Sequence, residues 1–222
     1  MKLLRFNSYP PNNPFAPRWD YMLCQAQLDN PALLADLKSL ILHKEKDILT
    51  QYPHTFNDGG TGLGINDLTS KFTEFNIFAW TEQPAVEFTA FVKEQHGKFL
   101  ESLGFNKVTV YGKCWANVLR NGQDIKMHWH SCTPDSYLSG HFTVATNDTS
   151  TYYQNPFNSM DVHEEPNIEG QLTFFPSHLR HWTDKYAGDT ERITIAFDLY
   201  TFGNDVDKGW AQFTDKVEFK YD

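Results

Sequence analysis

Three histidines in the C-terminal half are placed where they could share one metal ion. His128 and His130 flank Trp129, and His181 lies far downstream, with Arg192 eleven residues after it. On an extended segment, side chains two apart point to the same side, so His128 and His130 can present their rings together. A third imidazole from a distant strand closes a three-ligand face. Positions on the metal then stay open for substrate and dioxygen, as in non-haem iron sites. Arg192 would be a fixed cation able to hold an organic acid beside the metal.

The elements around these residues read as strands. Val108–Tyr111, Cys114–Leu119, Ile125–Trp129, Tyr137–Thr146, Ser150–Tyr153, Gly170–Pro176 and Arg192–Thr201 are short, rich in β-branched or aromatic residues, and separated by turn residues such as Asn121-Gly122. The first half is different. Residues 1–20 hold several prolines and asparagines and read as an irregular arm, and Tyr21–Leu28 reads as a first strand. Asn30-Pro31 opens a helix with Leu33, Leu34, Leu37, Leu40 and Ile41 at helical spacing. A second helix is expected from about Gln83 to Leu103, stopped by Gly104. Helices followed by many short strands predict an α+β, mainly β fold: a jelly-roll or cupin-like double sheet with the N-terminal helices packed on one sheet. The division expected is one unit over 1–222, with an arm and supporting helices (1–106), a β core (107–202) and a C-terminal extension (203–222).

Composition narrows the partners. The chain has 222 residues, 40% hydrophobic and 15% aromatic, enough for a sizeable core. Its formal net charge of −9 argues against nucleic acid as a partner. No apolar run is long enough to cross a membrane, and the opening Met-Lys-Leu-Leu-Arg-Phe-Asn lacks the apolar core of a signal peptide. Three widely spaced cysteines, Cys24, Cys114 and Cys132, suggest neither a disulfide framework nor a zinc ribbon, so a reducing cytoplasm is the expected location. The glycine-rich run Gly59-Gly60-Thr61-Gly62-Leu63-Gly64 lacks the Gly-Lys-Ser/Thr of a phosphate loop and reads as a flexible surface loop. The acidic group Asp161, Glu164, Glu165 and Glu169 reads as a solvated loop or a lid. His43, His54, His96 and His163 show no partner pattern and read as solvated.

Taken together, Trp115-Ala116-Asn117-Val118, His128-Trp129-His130, Tyr137 to Val144, Gly170 to Ser177, His181 and Gly188 to Phe197 resemble the 2-oxoglutarate/Fe(II) oxygenases. The nearest branch resembles one found in marine bacteria and their phages, related to the prolyl hydroxylase-like group; host cytoplasm would be the location if the chain is phage-encoded. The resemblance spans roughly residues 107 to 202. It implies a double-stranded β-helix, Fe(II) as cofactor and 2-oxoglutarate as cosubstrate with dioxygen. It also implies hydroxylation of an unidentified substrate, such as a peptidyl side chain, with release of succinate and CO2.

Residue by residue, the resemblance implies metal ligation by His128 and His181, and pairing of Arg192 and Thr194 with the distal carboxylate of 2-oxoglutarate. Thr143 and Asn117 are further cofactor-binding candidates, and His141 and Trp129 are candidates for substrate contact or support of the ligands. One departure is Thr143, where relatives often have a tyrosine that touches the 2-oxoglutarate carboxylate, and the other is at the second ligand. Most of these oxygenases have a carboxylate two residues after the first histidine, and here stands His130, with Asp135 as the alternative. Two other readings stay open: a three-histidine dioxygenase that uses no cosubstrate, and a non-enzymatic jelly-roll protein. A homodimer is a candidate assembly.

Overall fold

A computed structural model describes residues 1–54, 57–133, 136–202 and 215–221. Ten strands and two long helices follow one another: β1 (Lys2–Asn7), β2 (Asp20–Gln27), α1 (Pro31–Gln51), α2 (Gln83–Ser102), β3 (Val110–Leu119), β4 (Leu138–Ala145), β5 (Ser150–Asn155), β6 (Asn158–Pro166), β7 (Gln171–Pro176), β8 (His181–Thr183), β9 (Arg192–Tyr200) and β10 (Val217–Phe219). A seven-stranded sheet has the order β1-β2-β7-β4-β9-β3-β10, and a three-stranded sheet the order β6-β5-β8. The recorded pairings are antiparallel. The fold is the mainly β double-sheet arrangement with supporting helices that the sequence predicts.

Both helices form where capping and apolar spacing place them. The Asn30 side chain accepts from the Leu33 amide, Pro31 occupies the first turn, and Leu33, Leu37, Ile41 and Ile48 form the buried stripe of α1. In α2 the buried stripe is Ala85, Phe88, Val92, Phe99 and Leu100. Gly104 ends it at a φ of 74°, with the Phe105 amide returning to the Leu100 carbonyl (2.9 Å). Phe88 meets Phe142 of β4 and Phe99 meets Phe174 of β7, at ring separations of 5.1 and 6.0 Å. The helices therefore back one face of the large sheet and leave its other face to the small sheet.

Close packing at the centre depends on Gly140. It lies opposite Phe197 in the β4–β9 ladder, and a Cβ there would come within 2.3 Å of the Phe197 ring. The glycine lets the central strand β9 keep a large aromatic under β4.

Several expectations are corrected. Residues 2–7 are a strand, held by the β1–β2 ladder and by Phe6 stacked on Tyr21 at 4.9 Å. Ile125–Trp129 is not a regular strand; only an isolated bridge joins His128 to His181. The acidic stretch is mostly strand β6, paired with β5. As an edge strand with polar side chains on both faces it has no apolar alternation to read. Val108–Tyr111 and Cys114–Leu119 merge into one strand, β3.

Candidate metal centre

His128 and His130 lie on the irregular segment between β3 and β4, which runs beside β8 and is fixed to it, and to the turn before it, by main-chain hydrogen bonds. The Ile125 carbonyl accepts from the Thr183 amide (3.1 Å), His128 and His181 exchange amide bonds (3.1 and 3.0 Å), and the His130 amide donates to the Ser177 carbonyl (3.0 Å). This lattice keeps the two-residue alternation without a continuous strand. His128 and His130 face His181, with ring centroids 4.4 and 5.1 Å from it. Trp129, between them, is half exposed, carries the Arg180 guanidinium over its ring at 5.1 Å, and borders the cavity.

One ligand atom from each of the three histidines can be chosen so that all lie within 4.8 Å of one another. Each ring uses Nδ1 for an outward hydrogen bond. His128 meets the Lys126 carbonyl (2.8 Å), His181 the Leu179 carbonyl (2.9 Å), and His130 the Asp198 carboxylate (2.5 Å). Those acceptors require Nδ1 to carry the proton, which leaves the Nε2 lone pairs free. Burial, with a smaller push from His130, takes the His128 pKa down to about 4. Burial, with the neighbouring histidines, also holds His181 well below the usual range. Both rings are neutral at neutral pH, the form that binds a metal. The donor set fits Fe(II).

The cavity over this cluster measures about 670 Å³ and lies between the two sheets. Arg192 borders it, 1% exposed. Its Nε donates to Thr149 Oγ1 (3.1 Å), while Nη1 is buried with no hydrogen-bond partner among the described residues. Burial lowers its pKa to about 10, against an opposing pull from Asp184, so it stays charged at neutral pH. A buried cation with an unused donor fits an anionic ligand such as the distal carboxylate of 2-oxoglutarate.

The other candidates fall into two groups. Asn117 and Thr194 both border the cavity, 3.4 Å apart across the β3–β9 ladder, and Asn117 accepts from Thr69 (2.9 Å). His141 borders it too, bonded to the Tyr153 hydroxyl (2.6 Å); burial, with a smaller push from Arg192, takes its pKa to about 3. Thr143 is buried beside Thr194 in the β4–β9 ladder, its hydroxyl has no partner among the described residues, and it does not border the cavity. Asp135 lies outside the described residues.

Three participants were not anticipated. Asp198 bonds His130, and extending the two-residue alternation of β9 beyond Arg192 and Thr194 would have found it. Thr149 orients Arg192 from a turn with no distinctive spacing. The glycine-rich segment is part of the cavity wall rather than a free surface loop: Asp58, Gly59 and Thr61 border the cavity. Its own Asp58 carboxylate takes the Gly60 and Gly64 amides (3.1 and 3.2 Å), so the loop folds on itself instead of cradling a phosphate.

Residues 143–198 match a family model described as "Putative 2OG-Fe(II) oxygenase". That stretch contains His181, Arg192, Thr194 and Asp198. Over that stretch the chain is similar to the 2OG-Fe(II) oxygenases. Among solved structures it is similar to a Pseudomonas putida prolyl-4-hydroxylase, at 12% identity, covering 82% of this chain and 93% of that one, with a TM-score of 0.57. A prolyl hydroxylase from Trichoplax adhaerens, in complex with a hypoxia inducible factor peptide fragment, is similar at 11% identity, covering 81% and 83%, TM-score 0.54. The viral collagen prolyl hydroxylase of Paramecium Bursaria Chlorella virus-1, in its 2OG complex, is similar at 11% identity, covering 81% and 96%, TM-score 0.51. At these identities the structures speak for the fold. No curated protein matches the chain in sequence. The similarity to that family implies Fe(II) and 2-oxoglutarate, and among the described residues no helix is long and apolar enough to cross a membrane.

Proposed function

We propose that the chain is an Fe(II)- and 2-oxoglutarate-dependent oxygenase that hydroxylates a C–H bond of a substrate not yet identified. Oxidative decarboxylation of 2-oxoglutarate would release succinate and CO2. The observation that carries this reading is the buried, under-used Arg192 in the same cavity as three convergent imidazoles. His128, His130 and His181 would hold the metal. Bound iron supplies the dioxygen and one-electron chemistry that side chains lack.

The protein's own part is binding and orientation. Arg192 pairs its planar guanidinium with the distal carboxylate of 2-oxoglutarate, and Thr194 adds a hydroxyl from the same face of β9. Asn117, held by Thr69, keeps the Thr194 side of the cavity in place. Phe72, Trp115, Trp129, Tyr137 and Tyr200 give the cavity an aromatic wall that displaces water. A peptidyl side chain is the substrate class that the prolyl hydroxylase neighbours favour.

Succinate is the deciding product. Iron-loaded protein supplied with 2-oxoglutarate and dioxygen should form it, and Arg192→Ala should form far less at the same 2-oxoglutarate concentration. The all-histidine ligand set also suits a dioxygenase that needs no cosubstrate. Dioxygen consumption with a substrate acid and without succinate would select that reading.

A further inference from the structure

We infer that Asp198 supplies, through the His130 ring, the negative charge that a directly bound carboxylate would bring to this metal site. The inference rests on the metal-centre reading above and deepens it.

The three outward hydrogen bonds are not equivalent. His128 and His181 end on neutral main-chain carbonyls, those of Lys126 and Leu179. His130 alone ends on a carboxylate, at 2.5 Å. A carboxylate on the far nitrogen draws the Nδ1 proton toward itself and makes the opposite nitrogen a stronger, more negative donor. Three neutral imidazoles leave the full double charge on a divalent ion. His130 with Asp198 behaves as one anionic unit and lowers that sum by one, as a directly bound aspartate would.

The surroundings preserve this effect. The His130 and Asp198 side chains are 6% and 12% exposed, so solvent screens their interaction weakly. Asp198 is held by two further donors, the Ser139 hydroxyl (2.5 Å) and the Tyr200 hydroxyl (3.3 Å). Its cross-strand neighbour Lys113 directs its ammonium to Asp215 (2.7 Å). The His130 main chain is docked separately, through the Ser177 carbonyl. Asp198 is therefore not needed to place the backbone of His130; it sets the orientation and charge of the ring.

The test uses Co(II) titration of the metal-free protein, read by visible absorption, in two backgrounds. With His130 in place, Asp198→Asn keeps an acceptor oxygen and the side-chain size but removes the charge. It should weaken Co(II) binding about 10- to 100-fold and shift the absorption bands. In the His130→Asp background two carboxylates would crowd one buried spot, and Asp198→Asn should there leave Co(II) binding unchanged or strengthen it, and raise the metal-free melting temperature. This dependence on background is the signature, because a merely structural Asp198 would weaken both. If Asp198→Asn alone fails to fold, the pair built on His130→Asp still decides through the melting temperature. Equal loss in both backgrounds, or no loss with His130 in place, overturns the inference alone. Failure of the unsubstituted protein to bind Co(II) at all would overturn the metal centre as well.

Discussion

His128 and His181 face each other across a two-way backbone bridge, each amide donating to the other's carbonyl at 3.1 and 3.0 Å. The bridge places two imidazoles from distant parts of the chain in one unit before any metal arrives. Metal binding therefore spends little free energy on ordering these two ligands.

Removing either ring should break the site while leaving the bridge, which is main chain. His181→Ala is expected to abolish stoichiometric retention of Fe(II) through gel filtration with the fold intact by circular dichroism. Iron retained at the affinity of the unsubstituted protein would remove His181 from the ligand set.

Arg192→Ala should raise the 2-oxoglutarate dissociation constant by about 30-fold or more. A desolvated bidentate pair contributes roughly 2 kcal/mol or more, and 1.4 kcal/mol is about tenfold. Metal affinity should change little. Calorimetry on metal-loaded, oxygen-free protein separates the two effects, and unchanged 2-oxoglutarate affinity would count against the anchor. Arg192→Lys should recover only part of the loss, because an ammonium lacks the planar fork.

Between His130 and Asp135, the ranking of variants decides the third ligand. His130→Ala should lose most of the Co(II) affinity, and Asp135→Ala should keep it. The reverse order would transfer the role to Asp135.

His96 should make stability depend on pH. It is fully buried in α2 and bonded at both ring nitrogens, to the Tyr221 and Tyr137 hydroxyls, and burial lowers its pKa to about 4. The unfolded chain takes up a proton near the ordinary pKa of about 6.5, and the folded chain does not until about 4. The unfolded state thus binds more protons within that window, so stability falls as pH drops from 6.5 toward 4. The loss amounts to roughly 3 kcal/mol across it. Urea midpoints at pH 5 and pH 7 should differ less in His96→Gln than in the unsubstituted protein; an equal difference would exclude His96 as a source.

The sequence made the parts of the site legible where side-chain alternation and residue type coincide. His181, Arg192 and Thr194 are polar or ionisable residues in strands, His128 and His130 are two residues apart on the segment beside them, and the structure gathers all five at one cavity. Thr143 is a candidate through the resemblance alone; it stays in register opposite Thr194 but is buried without bordering the cavity. His96 and His163 looked solvated because their partners are remote or polar: Tyr137 and Tyr221 for the first, Glu165 and the Phe6 ring for the second. The strand β1 was hidden by the proline-rich segment after it, which dominates local composition without reaching residues 2–7. Pairing with a strand some 20 residues on leaves no local mark.

β9 places Arg192, Thr194, Ala196, Asp198 and Tyr200 along the cavity, every second residue of one central strand. The consequence lies in which genetic changes the protein can survive. A substitution at one of these positions alters one contact. Inserting or deleting a single residue between 193 and 197 would leave one end of the strand facing the wrong way, because side-chain direction reverses at each step. The acid anchor would then part from the ring support, even with every functional residue still encoded. Sequence drift in this strand should therefore proceed by exchange of side chains, while changes in its length are confined to the turns at either end.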